Sequence, residues 1–199
     1  FLIEGGLDGI LVLGSAGEFP DLNEQERLDF FRFYAEYVNG RVELLAGTGC
    51  IRYADTLALS NAVYELGYTP MVISPYYFEM DQEKLFVYYD RLAKDVKGDL
   101  YLYNFPPRTG HSIAPETIRR LIDANPNIIG LKDSVSTPGH TNMVCRAVDG
   151  KPFTVYSGFD DQFLSNIANN GGGGCIGALS IIVPEIWSSL VKAANEKDF

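Results

Sequence analysis

Short apolar and β-branched runs recur along the whole chain, and the stretches between them carry apolar residues every three or four positions. The runs are Gly9 to Leu13, Val42 to Ala46, Met71 to Ser74, Leu100 to Tyr103, Ile128 to Lys132, Phe153 to Ser157 and Cys175 to Leu179, seven candidate strands. Helical periodicity marks Asn23 to Val38, Tyr53 to Leu66, Gln82 to Val96, Pro115 to Ala124 and Phe163 to Asn169. Such alternation predicts βα units and a parallel sheet, an α/β class. Local signals agree with it. Asn23 followed by Glu26 has the form of a capping box, and Pro115 fits the first turn of a helix.

Consecutive βα units suit a (β/α)8 TIM barrel better than a doubly wound sheet, because no Gly-x-Gly-x-x-Gly turn with a later ribose-binding acid follows the first strand. The strand count is one short of that barrel, and the chain opens as though inside a helix, Phe1-Leu2-Ile3-Glu4-Gly5-Gly6. Its 199 residues also fall below the ~250 usual for the fold. The expectation is therefore one domain over residues 1–199, a piece of a longer chain that holds strands two to eight, with the first strand missing and helices missing at the far end. A barrel lacking a strand exposes two sheet edges, which is an aggregation hazard.

With 46% hydrophobic residues the chain can bury a sizeable core, and nothing in its composition resembles a disordered or fibrous protein. A formal net charge of -10, with 16 scattered Lys and Arg, argues against a nucleic-acid or anionic-membrane partner and leaves small molecules. No apolar run approaches the ~20 residues of a membrane span. Cys50, Cys145 and Cys175 are far apart and lack metal spacing, which fits reduced thiols in a cytoplasmic protein. Only His111 and His140 are available as histidines, so neither a histidine-rich zinc centre nor any other metal site is expected.

The chemistry is expected where a lysine closes an apolar run, Ile128-Ile129-Gly130-Leu131-Lys132. Strand alternation points Ile128, Gly130 and Lys132 to one face and Ile129 and Leu131 to the other, and it puts Tyr101 and Tyr103 together on the preceding strand. Lys132 and Tyr103 then face each other at the mouth of a barrel, where active sites of this fold lie. A neutral lysine amine can attack a ketone to give a Schiff base, and burial is the means of lowering its pKa from ~10.4. A nearby phenol could move the protons that follow. The plainer reading is a Lys132–Asp133 pair at a strand end. Gly14-Ser15-Ala16-Gly17-Glu18 follows the first strand, and its small residues could turn backbone N–H groups toward a carboxylate, or simply form a turn. Pro75-Tyr76-Tyr77 and Ser157-Gly158-Phe159-Asp160-Asp161 lie at other strand ends without specific meaning. Gly171 to Gly174 lacks the Lys-Ser or Lys-Thr of a P-loop and reads as close backbone packing leading into the last strand.

In order, Gly14-Ser15-Ala16-Gly17-Glu18, Pro75-Tyr76-Tyr77, Tyr103-Asn104-Phe105-Pro106-Pro107-Arg108-Thr109-Gly110, Gly130-Leu131-Lys132-Asp133 and Ser157-Gly158 resemble the dihydrodipicolinate synthase and N-acetylneuraminate lyase family, over nearly the whole chain. The resemblance implies a (β/α)8 barrel, usually a homotetramer, that needs no cofactor beyond an imine between its strand-six lysine and pyruvate or another 2-keto acid. It implies Lys132 as the Schiff-base residue, Tyr103 as general acid/base, Ser15 in a proton relay with Tyr103, and Tyr77 contributed to that relay from a neighbouring subunit. The keto-acid carboxylate would lie against Ser15 and Ala16, with Gly158 and Ile176 lining the pocket. Arg108 matches an arginine with which the synthases hold a second carboxylate.

Departures leave the second substrate open. Ala16 stands where Thr is usual, and Gly177 and Ile181 replace a usual Ser and Asn. Phe78-Glu79-Met80 and Cys50-Ile51-Arg52 depart from the synthase pattern, whereas Gly14-Ser15-Ala16-Gly17-Glu18-Phe19 and Tyr103-Asn104-Phe105-Pro106 look closer to 2-keto-3-deoxy sugar-acid aldolases. The reading is a carbon–carbon lyase, an aldolase for 2-keto-3-deoxy sugar acids or hydroxy-keto acids. The alternatives are a dihydrodipicolinate synthase condensing pyruvate with aspartate semialdehyde, and a non-catalytic barrel that binds a keto acid.

Overall fold

A computed structural model describes residues 1–196; of the span 1–199 expected to form one domain, residues 197–199 lie outside the described residues. The strands are β1 (Gly9–Val12), β2 (Glu43–Gly47), β3 (Thr69–Ile73), β4 (Leu100–Asn104), β5 (Ile128–Asp133), β6 (Thr154–Ser157) and β7 (Gly172–Cys175). All pair in parallel, each with its neighbour in sequence, to give the order β1-β2-β3-β4-β5-β6-β7. The helices are α1 (Glu24–Val38), α2 (Tyr53–Tyr64), α3 (Gln82–Asp95), a short α4 (Pro106–Thr109), α5 (Pro115–Ala124), α6 (Pro138–Ala147), α7 (Phe163–Ile167) and α8 (Pro184–Glu196).

Local chemistry explains the boundaries. The Asn23 side chain accepts from the Glu26 N–H at 3.0 Å while the Glu26 carboxylate accepts from the Asn23 N–H at 2.8 Å, a complete capping box for α1. Asp81 caps α3 from one side, its carboxylate accepting the Lys84 N–H at 2.8 Å. Pro115 opens α5 and Pro138 opens α6, where a missing N–H leaves no helical bond unmade.

The outward face of the sheet is dry. Val72, Leu100, Leu102, Leu131 and Val155 pack against Leu85, Tyr89, Leu92, Ile118, Leu121 and Val144 of the helices. The inward face carries Met71, Tyr101 and Tyr103, which belong to a second cluster with Leu45 and Ile73. Two expectations change here. A register shift pairs Leu100 with Ile128 but Tyr101 with Gly130, so Ile129 is the extra residue of a bulge. Ile128 therefore joins the outward cluster with Leu131 while Ile129 packs with the inward one, the reverse of simple alternation for these two. The last strand is the glycine run itself, Gly172–Cys175, rather than Cys175 to Leu179. Side chains at Gly172 or Gly173 would run into the Asn166 carbonyl, Thr154 and Tyr156, so only glycine lets this strand approach its neighbours.

Gly130 has a similar cause. A Cβ there would enter the Tyr101 ring and lie 2.7 Å from the Thr154 carbonyl oxygen. Gly130→Ala should lower the stability of the protein by about 1–3 kcal/mol through overpacking, read as a reduced urea midpoint with an unchanged slope. An unchanged midpoint would mean that Tyr101 has room to move.

Candidate active site

The site begins with the register of two strands. β4 and β5 pair Tyr103 with Lys132 and Asn104 with Asp133, so the phenol and the amine leave the sheet side by side on its inward face. Lys132 Nζ lies 4.8 Å from the centroid of the Tyr103 ring. The lysine is only 8% exposed, and burial draws its pKa down from 10.5 to about 8, with Cys175 and Asp160 acting in the opposite direction. At pH 7 about one amine in ten is then neutral, against about one in a few thousand for an ordinary lysine.

Tyr103 is buried and its hydroxyl is 3.1 Å from Ser15 Oγ. Burial raises the phenol pKa, while the Ser15 and Ser134 hydroxyls and the Arg108 charge lower it, with burial prevailing. It remains a proton donor at the pH where Lys132 loses its proton. Ser15 opens a single 3-10 turn, Ser15–Gly17, directly after β1. Within it the Gly17 N–H bonds to the Gly14 carbonyl at 2.9 Å and the Glu18 N–H to the Ser15 carbonyl at 3.2 Å. Among the described residues, no backbone carbonyl takes the N–H of Ser15 or Ala16. Those two donors are free for an anion beside the amine.

Along the inner face, the opening between β1 and β7 is lined by Ser15, Ala16, Lys132, Asp160, Cys175 and Ile176 at this end. Ile176 is fixed by its N–H to the Ser157 carbonyl at 2.9 Å, and Gly158 by its N–H to the Asp133 carbonyl at 2.8 Å. A side chain at Gly158 would collide with Ser134, which accounts for the glycine.

Two expected residues stand apart from this cluster. Arg108 is exposed on α4, its guanidinium 5.8 Å from the Phe105 ring centroid. Tyr77 is 82% exposed, packs edge-on to Phe78 and makes no hydrogen bond to Ser15 or Tyr103 within the chain. Its φ of 83° is unusual for a residue with a side chain and fixes an aromatic pair pointing away from the core. Two lining residues went unrecognised in the sequence. Asp160 accepts the N–H of Ala178 at 3.1 Å and of Leu179 at 3.2 Å, and it fills the space a side chain at Gly177 would need. Cys175, which its spacing marks only as a reduced thiol, lies close enough to Lys132 for each to perturb the other's titration. The signal was their placement after β6 and at the end of β7.

The plainer reading of Lys132 fails on geometry. Asp133 is fully buried on the opposite face of β5, where its carboxylate accepts from Asn104, His140 and Thr141. Lys132 has no carboxylate partner among the ion pairs of the described residues. Below pH about 8 both folded and unfolded chains carry the ammonium, so the native state bears the cost of burying it; between about 8 and 10.5 only the unfolded chain keeps the proton, and stability rises with pH. Lys132→Met should accordingly stabilise the protein at pH 7 by up to about 3 kcal/mol, a gain that shrinks above pH 8. Thermal melts across pH would check this, and a destabilised Met variant would contradict it.

A sequence model of the Dihydrodipicolinate synthetase family matches residues 1–199. YagE of Escherichia coli (strain K12), provisionally a 2-dehydro-3-deoxy-D-gluconate aldolase, is 36% identical, a match covering 99% of this chain and 66% of that protein. The 4-hydroxy-tetrahydrodipicolinate synthase of Kosmotoga olearia is 35% identical over 100% of this chain and 68% of its own length. The crystal structure of YagE in complex with pyruvate superposes with a TM-score of 0.94 at 36% identity, covering 99% of this chain and 67% of that one. Dihydrodipicolinate synthase from Aquifex aeolicus gives a TM-score of 0.94 at 30% identity, covering 100% and 68%. The chain thus spans about two thirds of the length of the relatives it matches, and its curled parallel sheet is that of their (β/α)8 barrels. By sequence and by fold, it belongs to the dihydrodipicolinate synthetase family.

Proposed function

We propose that the protein is a class I aldolase that forms a lysine imine with pyruvate or a related 2-keto acid and makes or breaks the bond to an aldehyde, of the 2-keto-3-deoxy sugar-acid or hydroxy-keto-acid type. One observation carries this reading. A strand-end amine with its pKa drawn down to about 8 faces a phenol tied to a hydroxyl 3.1 Å away.

The neutral Lys132 amine adds to C2 of the keto acid, and the carbinolamine loses water once a proton reaches its hydroxyl. Tyr103 is the donor for that group, and its phenolate, held by the Ser15 hydroxyl at 3.1 Å, is then the base that takes the C4 hydroxyl proton in the step that follows. The iminium is an electron sink. When the C4 hydroxyl of a sugar acid gives up its proton, the C3–C4 bond breaks, an aldehyde leaves, and the bonding pair forms the enamine; protonation at C3 and hydrolysis then release pyruvate and restore the amine. The free N–H groups of Ser15 and Ala16 suit the C1 carboxylate. Neither a metal ion nor an organic cofactor enters this scheme.

Tyr77 belongs to the same proposal through a neighbouring copy. Its exposed, strained position supports a role outside its own cavity, completing the relay of a second subunit in a homotetramer. A synthase acting on aspartate semialdehyde is the second reading. It is favoured by Arg108, whose exposed charge acts on Tyr103 and suits a second carboxylate.

Full-length protein should cleave a 2-keto-3-deoxy sugar acid and sediment as a tetramer. Lys132→Ala should abolish turnover, Tyr103→Phe should lower kcat by about 10²–10⁴-fold, and Ser15→Ala should have a smaller effect in the same direction. In the wild type, kcat/KM should rise with pH and level off near pH 8, as the amine is released. Turnover confined to pyruvate plus aspartate semialdehyde would move the assignment to the synthase. Pyruvate binding without turnover of any aldehyde would leave a non-catalytic barrel.

A further inference from the structure

Behind the two reactive side chains, on the outward face of β4 and β5, lies a buried polar cluster that the proposed chemistry does not use. Asp133 Oδ1 accepts from Asn104 Nδ2 at 2.7 Å, and Asp133 Oδ2 accepts from Thr141 Oγ1 at 2.7 Å and faces His140 Nδ1 at 2.9 Å. The orientation of the Asn104 amide is fixed at its other end, where Oδ1 accepts the Ile113 N–H at 3.0 Å. Asn104 and Thr141 already donate to this carboxylate, an arrangement that suits its ionised form, and an ionised Oδ2 at 2.9 Å requires a proton on His140 Nδ1. His140 Nε2 lies 3.0 Å from the Ile113 carbonyl oxygen, a group that can only accept. Both ring nitrogens therefore need protons. Among the described residues, the Ser112 hydroxyl, at a longer 3.4 Å, is the group near Nε2 that could donate to a neutral ring.

We propose that His140 is a positioning residue for the imine-forming pair: as an imidazolium bridging Asp133 and Ile113, it neutralises the carboxylate directly behind Lys132 and keeps the ends of β4 and β5 level. The inference rests on the catalytic reading above for its consequence, though not for its geometry. Asn104 and Asp133 are paired neighbours in the register, one residue beyond Tyr103 and Lys132, so their 2.7 Å bond locks the height at which amine and phenol meet. Thr141 adds a second tether from α6. The charge is as important as the tether. Cys175 and Asp160 already favour the Lys132 ammonium from the cavity side; an unpaired Asp133 carboxylate behind the strand would add to them and oppose the depression that burial produces.

The titration of His140 agrees. Burial opposes its charge, but the Asp133 carboxylate, the Ile113 carbonyl and Glu116 outweigh it and raise the pKa above 6.5. Asp133 from β5 and Glu116 from α5 face the ring, and Cys145 on its own helix senses Asp133 as well. The pair's contribution to stability is full below pH 6.5 and is lost as pH climbs through the raised value.

The test has an arm that needs no catalysis. Nitrogen-15 NMR of the wild-type protein at pH 7 should show both His140 ring nitrogens protonated; a neutral ring at pH 7 overturns the proposal. The second arm follows the acid limb of kcat/KM for the keto acid. His140→Gln, which orphans the Asp133 charge, should move that limb up by about one pH unit and lower the rate at pH 7 about tenfold. Removing the orphaned charge with Asp133→Asn in the same chain should bring the limb back, a rescue that a purely structural role would not give. A limb unchanged in His140→Gln, or unrescued in the double variant, contradicts the proposal. Should His140→Gln fail to fold, the wild-type NMR result decides. A wild-type protein that turns over no keto acid would refute the catalytic reading and leave the NMR arm standing.

Discussion

Everything at this site depends on the lateral pairing of β4 with β5. Parallel strands hold paired residues at one height and on one face, so placing Tyr103 beside Lys132 is a property of register rather than of loop conformation. A slip of one residue would send the lysine into the helix layer and bring Asp133 inward. Two devices oppose that slip. The Ile129 bulge sets the phase of the strand near its start, and the Asn104–Asp133 bond at 2.7 Å fixes it at the end. Between them, Gly130 yields its volume to the Tyr101 ring.

That register makes the burial of an amine chemically useful. An ammonium in this environment costs the folded state, and the dry packing between the outward face of the sheet and the helices offsets it. The same desolvation that raises the cost makes the amine nucleophilic near neutral pH. Around it the backbone supplies what an anionic keto acid needs, since the turn at Ser15 leaves two N–H groups free beside the cavity. The carboxylate of Asp133, the nearest charge in sequence, is turned to the other face and bound there by three donors. Aligned strand ends thus separate the reactive layer from the layer that positions it.

Much of this was legible in the residue pattern. Alternating runs gave the parallel sheet, and the α5 bounds expected from Pro115 and helical periodicity coincide with those observed, Pro115–Ala124. The pairing of Lys132 with Tyr103 followed from strand ends alone, and Ser15 from a small-residue turn. What escaped has physical causes. A bulge inserts a residue without changing composition, so Ile128 and Ile129 were assigned to the wrong faces. Glycine carries no β signal, so a strand made of Gly172, Gly173 and Gly174 was placed several residues late. The roles of His140 and Asp160 depend on tertiary neighbours brought from Ile113, Asp133 and the turn at Ala178, and no local pattern announces such contacts. Arg108 and Tyr77 stand exposed at the surface, beside Phe105 and Phe78 respectively.

The central claim is that Lys132, made nucleophilic by burial, forms an imine with a 2-keto acid. Its most direct test is reduction of the full-length protein with borohydride in the presence of pyruvate, followed by peptide mass spectrometry. The account predicts a single pyruvate-derived adduct on the peptide containing Lys132, absent when pyruvate is omitted. An unmodified Lys132 in a protein that binds pyruvate, or an adduct on another lysine, would contradict it.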